Sequence, residues 1–285
     1  MFNFGFSRDT VSHVRRTTAR AWSVAKDGAQ GDEAPFQRIY AIADVHGHFG
    51  LFREALRAIQ TDNRKRGPAQ TVIVIAGDSI DRGPRSRQML QLLQTIQSTS
   101  SGVIVLAGNH EQMLIDSADG DGRAQDLWMR SGGSRTLDSY KIDVRELRKL
   151  DTKERAHVIR QAIGNHTLQW LRSLPASYRS GGYFFCHAGI RPGTPLGQQL
   201  REDLLWIRKK FHQEESDHGA VIVHGHCEEP AVRFRHNRIG IDLGAHRTGR
   251  LAILGLEGTD RWTMNVRENA ADISDTVLRP TLLRS

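Results

Sequence analysis

Five times along this chain, a short apolar run stops at a metal-ligating side chain beside a glycine. Arg38-Ile39-Tyr40-Ala41-Ile42 leads into Ala43-Asp44-Val45-His46-Gly47-His48, and Thr71-Val72-Ile73-Val74-Ile75-Ala76 leads into Gly77-Asp78-Ser79-Ile80-Asp81-Arg82-Gly83. Val103 to Ala107 leads into Gly108-Asn109-His110-Glu111. Further on, Tyr183-Phe184-Phe185-Cys186 runs into His187-Ala188-Gly189, and Ala220 to Val223 into His224-Gly225-His226. Runs of this length, rich in β-branched and aromatic residues, predict buried strands. Helical stretches are expected between the first three, at about 51–61 and 86–97, with another from Glu111. Strand and helix in alternation predict parallel βαβ units with right-handed crossovers. Such sheets bind their ligands at the carboxyl ends of the strands, where these motifs fall.

An Asp and a His two positions apart beyond a strand point the same way, so Asp44 and His46 can grip one ion. Taken singly, each candidate has an ordinary explanation: Asp78 as a helix N-cap, Asn109 as a turn residue, His187 or His226 as a core histidine. Five strand ends carrying Asp, Asn and His in this order are not explained that way. The motifs ADVHGH, GDSIDRG, GNHE, FCHAGIRPG and VHGH resemble those of the bacterial and phage branch of the phosphoprotein phosphatase (PPP) family of metallophosphoesterases. The likeness covers Arg38 to Glu257, with Ala43 where the family usually has Gly.

The resemblance implies an α/β fold: an α/β/β/α sandwich of two mixed sheets flanked by helices, with a helical cap insertion. It implies two divalent ions. Asp44, His46 and Asp78 would hold one, and Asp78, Asn109, His187 and His226 the other, with Asp78 bridging. Carboxylate, amide and imidazole ligands without thiolate suit Mn²⁺, with Fe or Zn²⁺ as alternatives. Paired ions about 3.5–4 Å apart can hold a bridging hydroxide and clamp a phosphoryl group for direct hydrolysis. His110 would protonate the leaving oxygen and Asp81 would fix its tautomer. Arg82 and Arg208 would offer planar forks to phosphate oxygens, with Asn109 also beside the substrate. No ligand role falls on His48 or His224, and Arg191 has none assigned. Glu228 stands two residues after His226, where related phosphodiesterases often carry another histidine, which favours the PPP pattern.

The expected substrate is a phosphorylated protein or small phosphoester, and the expected activity a serine/threonine protein phosphatase. The alternative is a dinucleoside polyphosphate hydrolase, because bacterial diadenosine tetraphosphatases resemble the chain and share the cap pattern Trp128, Gly132-Gly133, Thr136-Leu137. Of the net charge of +8, residues 1–26 supply five basic and one acidic side chain and residues 123–160 ten and six. That suits anionic partners, yet no nucleic-acid recognition motif is present. Two cysteines outside any CxxC pattern suggest a reduced, cytoplasmic setting, and no apolar run of 18 residues predicts a membrane span.

Residues 1–36 read as a flexible basic arm and linker in preference to a transit peptide, 37–268 as the metallophosphoesterase domain with its cap at about 112–180, and 269–285 as a tail. Within the cap, helices are expected near 144–162 and 166–173. The last β-rich segments, at 220–223, 238–242, 251–256 and 262–266, are expected to form consecutive hairpins. Nothing in the sequence sets the oligomeric state.

Overall fold

Each of the five runs is a strand in the computed structural model, which describes residues 37–267 and the two-residue strand β1 (Arg15–Arg16). The rest of the expected arm and the expected tail lie outside the described residues. One sheet takes β2 (Gln37–Ile42), β3 (Gln70–Ile75), β4 (Val103–Val105), β10 (Arg250–Glu257) and β11 (Asp260–Arg267), in the order β1-β11-β10-β2-β3-β4. The other takes β5 (Ser177–Ser180), β6 (Tyr183–Cys186), β7 (Val221–His224), β8 (Arg233–Phe234) and β9 (Arg238–Gly240), in the order β5-β6-β7-β9-β8. Both sheets are mixed, parallel at β2-β3-β4 and at β6-β7-β9 and antiparallel towards their edges.

Side-chain alternation along the strands sorts the core into layers. Ile39, Ala41 and Ala43 of the first run, Val72 and Val74 of β3, and Leu254 and Leu256 of β10 meet Phe185, Val223, Ile239 and Ile241 between the sheets. Tyr40, Ile42 and Ile75 face the other way, against α1 (Phe49–Lys65), α2 (Ser86–Thr99) and α3 (Asn109–Asp119). Beyond the second sheet, Phe184, Cys186 and Ile222 pack against Leu204 and Phe211. The result is helix on sheet on sheet on helix. Burying each such large side chain is worth about 1.5–3 kcal/mol.

Helix α1 buries Leu51, Phe52, Ala55, Ala58 and Ile59 in one stripe. It runs beyond the expected Thr61 because Asp62 is anchored, accepting from Tyr40 Oη at 2.8 Å, Arg66 Nε at 2.7 Å and Trp262 Nε1 at 3.0 Å. Between β4 and β5 the chain continues through α4 (Gly122–Trp128), α5 (Ser134–Ser139), α6 (Val144–Leu147), α7 (Thr152–Ile163) and α8 (Asn165–Ser173). The helix expected over 144–162 is two, since the Asp151 side chain caps α7 and Glu154 returns the bond to the Asp151 N–H. This capping box starts a new helix where the periodicity suggested continuation.

The expected run of consecutive hairpins is corrected. From β7 onward the described hairpins are β8–β9 and β10–β11, while β7 and β9 run parallel and the chain then crosses to the first sheet. Ile239 and Ile241 must face the layer between the sheets, and that fixes β9 beside β7. In register, Ile42 lies opposite Ile75 and Ile75 opposite Val105, so three motif loops leave one sheet edge together. Phe185 lies opposite Val223, which sends the loops of His187 and His226 out beside each other.

Candidate metal centre and active site

Seven non-glycine residues have left-handed backbone among the described residues, and six belong to these loops: Asp44, His46, Asp78, Asp81, Arg82 and His226. Each such conformation costs an L-residue about 1–2 kcal/mol. Strain gathered in one place points to function. The loops are held by one another: the His46 N–H donates to the Asp78 carbonyl at 2.9 Å and the Gly47 N–H to the Ser79 carbonyl at 2.8 Å. Across the sheets, the His226 N–H donates to both Asp44 carboxylate oxygens, at 3.0 and 3.1 Å. A side chain on Gly225 would collide with the Asp44 carboxylate, so glycine is required there.

The test of whether a cation fits lies at His187. Its Nδ1 is 3.0 Å from the Ala76 carbonyl and donates to it, which leaves Nε2 with a bare lone pair. Facing that nitrogen are Asn109 Oδ1 at 2.8 Å, His226 Nδ1 at 3.1 Å and Asp78 Oδ2 at 3.4 Å. The Nε2 of His226 is buried and meets no hydrogen-bond partner. Acceptor atoms gathered on a bare imidazole nitrogen suit a cation among them, and a ring pinned through its other nitrogen, as His187 is, is the usual metal ligand. The four residues expected at the second ion are therefore together.

The other half is arranged less simply. His46 donates from Nδ1 to the Ile80 carbonyl at 2.9 Å, and its Nε2 lies 3.7 Å from Asp78 Oδ2, as does the Nε2 of His110. His46, Asp78 and His110 form one trio able to hold an ion, and Asp78, His187 and His226 the other, sharing Asp78. Asp44, expected as a ligand, stands outside both trios with its oxygens on the His226 N–H.

Electrostatics favour cations here. Burial, then Asp242, then Asp78 push the Asp44 carboxyl well above the ordinary range. Burial and Asp78 push Glu111 up to about 7, and burial also pushes Asp242 up to about 7, with Glu228 and Asp78 adding to it. Burial would raise Asp78 too, but the imidazoles around it reverse this and hold it below the ordinary range. The imidazoles of His46 and His187 are lowered by burial, and that of His226 is lowered to about 3 by burial and His187. Ionised carboxylate beside neutral imidazole is the ligand set a divalent cation needs.

His110 and Asp81 meet as expected, Nδ1 to Oδ2 at 2.7 Å, with both side chains buried. Burial opposes the imidazolium, yet Asp78 and Asp81 outweigh it and raise His110 above its usual value. Arg82 Nη2 lies 3.2 Å from His110 Nε2. Only a neutral ring, with Nδ1 on Asp81, can accept that bond. Arg208 is exposed, two residues after α9 (Arg201–Trp206), and its charge adds to burial in lowering both His187 and His226. Arg191 is instead paired with Asp203, at 2.7 and 2.8 Å.

Several functional residues went unassigned in the sequence. Asp81 also accepts from Trp128 Nε1 of α4 at 2.9 Å and Thr136 Oγ1 of α5 at 2.5 Å. Gly133 leaves room for the indole, and Gly132 accepts from the Arg82 N–H at 3.2 Å, which accounts for the Trp, Gly-Gly, Thr pattern. Glu111 accepts from the N–H groups of Asp78 at 3.0 Å, Ser79 at 2.8 Å and Gly108 at 2.9 Å, and so shapes the Asp78 turn. His246 Nδ1 lies 3.3 Å from Arg82 Nη1, and its ring is edge-on to His46 at 5.3 Å. Trp128→Phe is expected to destabilise the protein by about 1.5–3 kcal/mol, the worth of a hydrogen bond to a charged group, and to lower kcat at unchanged metal content. Urea unfolding and metal analysis check this; an unchanged midpoint would mean the indole bond is dispensable.

Two ligand groups sharing a carboxylate at the edges of two facing sheets define a metallophosphoesterase, with the fold of dinuclear metal-dependent phosphoesterases. The family model for calcineurin-like phosphoesterases matches residues 37–252, and the chain belongs to that family. Serine/threonine-protein phosphatase 2 of Escherichia coli (strain K12) is 28% identical over 227 residues, covering 76% of this chain and 92% of that protein. Serine/threonine-protein phosphatase 1 of Salmonella typhimurium is 34% identical over 179 residues, 62% of this chain and 71% of that protein. A symmetrical bis(5'-nucleosyl)-tetraphosphatase of Chromobacterium violaceum is 28% identical over 163 residues, 57% of this chain but only 47% of that protein. Among solved structures, a protein serine/threonine phosphatase from Saccharomyces cerevisiae shares the fold, with a TM-score of 0.52 at 15% identity, over 82% of this chain and 81% of that one.

Proposed function

We propose that this metallophosphoesterase is a serine/threonine protein phosphatase that removes phosphate from phosphoserine and phosphothreonine. The observation that carries the reading is the His110–Asp81 pair beside Arg82, at the rim of the ligand groups. The names of the two phosphatase relatives support it. Asp44, His46, Asp78, Asn109, His187 and His226 would hold two ions, with Mn²⁺ the expected metal and the cytoplasm the expected setting. When bound, the ions supply Lewis acidity that activates water and clamps phosphoryl oxygens.

The protein's own groups do the rest. Arg82 and Arg208 bind non-bridging phosphate oxygens and align the phosphorus, while Asn109 holds the group from the side. His110 carries a proton on Nε2 once Arg82 has turned to the phosphate, and gives it to the departing serine or threonine oxygen. Asp81 fixes the ring by accepting from Nδ1, and is itself fixed by Trp128 and Thr136.

Arg82→Ala and Arg208→Ala should each weaken inhibition by free phosphate by about 10–100-fold, the worth of a charge-assisted hydrogen bond, with metal content intact. Titration of phosphate against p-nitrophenyl phosphate hydrolysis checks this, and parental inhibition of Arg208→Ala would move that residue out of the site. A second reading, dinucleoside polyphosphate hydrolysis, draws on the tetraphosphatase relatives and the shared Trp128, Gly132-Gly133 and Thr136 pattern. Incubation with a phosphopeptide and with diadenosine tetraphosphate decides: much faster turnover of the nucleotide would replace the first reading by the second.

A further inference from the structure

A cavity of about 260 Å³ lies on the outer face of the second sheet, walled by Arg233, Arg235 and Arg238, by His212 and His224, and by Cys227, Gly240 and one acid, Glu229. The chemistry above does not use it. Strand alternation creates it. His224 pairs in register with Gly240 and Ile222 with Arg238, and the missing side chain at Gly240 leaves the space in front of the His224 ring.

Its walls are built for an anion. Arg238 is 4% exposed and fixed as a post, donating to the carbonyls of Glu214 at 2.7 Å and His212 at 2.5 Å and to Asn237 Oδ1 at 2.9 Å. Burial and then the neighbouring Arg235 hold its guanidinium below the ordinary value, a sign of crowded positive charge. Arg233 pairs with Glu229 at 3.0 Å and Arg235 with Glu215 at 2.9 Å, which leaves three arginines against two acids. Both pairs are partly exposed, and such pairs are worth only about 0.2–1 kcal/mol, so an incoming anion can displace them. The buried Nε2 of His212 has no hydrogen-bond partner.

Two wall residues, His224 and Cys227, flank the strand end that carries His226. Cys227 directly follows the ligand candidate His226, and the charge of Arg208 is felt at His212 and Cys227 as it is at His187 and His226. The volume lies under the roughly 300–1,000 Å³ of sites for drug-sized ligands, which suits one charged side-chain group. We propose that this cavity is a second anion subsite, which takes the carboxylate or phosphate of a residue neighbouring the phosphorylated one in a phosphopeptide substrate. The inference rests on the protein-phosphatase reading.

The test uses the full chain with Mn²⁺ and three phosphoserine peptides that differ at the flanking positions: alanine, glutamate, or a non-hydrolysable phosphonate analogue of phosphoserine. The glutamate or phosphonate peptide should exceed the alanine peptide about tenfold in kcat/KM, mainly through KM, and the better of the two identifies the source of the anion. In the double variant Arg233→Gln, Arg235→Gln that preference should vanish, while the alanine peptide and p-nitrophenyl phosphate are hydrolysed as by the parent, which also reports an intact fold. Equal kcat/KM for all three peptides in the parent, or a preference that survives in the double variant, overturns the subsite alone. Turnover of p-nitrophenyl phosphate without turnover of any peptide overturns the protein-phosphatase reading, and the subsite with it.

Discussion

Asp78→Asn is expected to strip both halves of the metal centre and abolish phosphoester hydrolysis. Asp78 Oδ2 is the one oxygen facing His46, His110 and His187 together, and Asp78 belongs to both ligand groups. An amide at this position removes the negative charge from each group and places two N–H donors against nitrogens that need a cation. The loss should exceed the roughly 10–100-fold typical of residues that merely support a ligand. Metal analysis of the purified variant should find less than one ion per chain. Full occupancy at a near-normal rate would remove Asp78 from its bridging position. Asp44→Asn should be milder and partly rescued by high Mn²⁺, since Asp44 stands outside both trios.

The second large effect is expected from His110→Asn, and it should depend on the leaving group. The serine alkoxide is strongly basic and needs a proton to depart, whereas p-nitrophenolate leaves readily without one. General acid catalysis is worth about 10²–10⁴-fold, so phosphopeptide hydrolysis should fall by that order and p-nitrophenyl phosphate hydrolysis far less. Asp81→Asn should carry the same bias more mildly, because Asp81 only orients the ring through the 2.7 Å bond. His110 also approaches Asp78 at 3.7 Å. An equal loss on both substrates, with depleted metal, would therefore assign His110 to holding an ion instead of to proton transfer.

Much of this architecture was readable because it is local. A run such as Val72 to Ala76 followed by Gly77-Asp78 states a buried strand and its ligand in one stretch, and the alternation with helices orders the sheet. The candidate site groups were named through family motifs that keep the same order along the chain. What escaped depends on contacts the chain makes only after folding. Trp128 and Thr136 reach Asp81 from 47 and 55 positions away, and nothing local marks either as more than cap packing. Glu111 looks like part of a helix start, and its carboxylate matters only because three N–H groups of two different loops converge on it. The parallel placement of β9 escaped for another reason: strands buried on both faces lose the alternation that separates hairpin from crossover.

The two sheets each bring part of the ligand set, and the bonds from His187 to Ala76 and from His226 to Asp44 cross from one to the other. A bound ion is thus a fastener between halves of the domain, and its affinity is paid into the folding equilibrium. Ligands that bind only the folded state add RT ln(1 + [L]/Kd), or about 2.7 kcal/mol at a hundredfold excess over Kd. Melting temperature should therefore climb steadily with Mn²⁺ concentration in the absence of any substrate. Chelation should speed amide exchange deep between the sheets, at Val74 and Val223, and not in the loops alone.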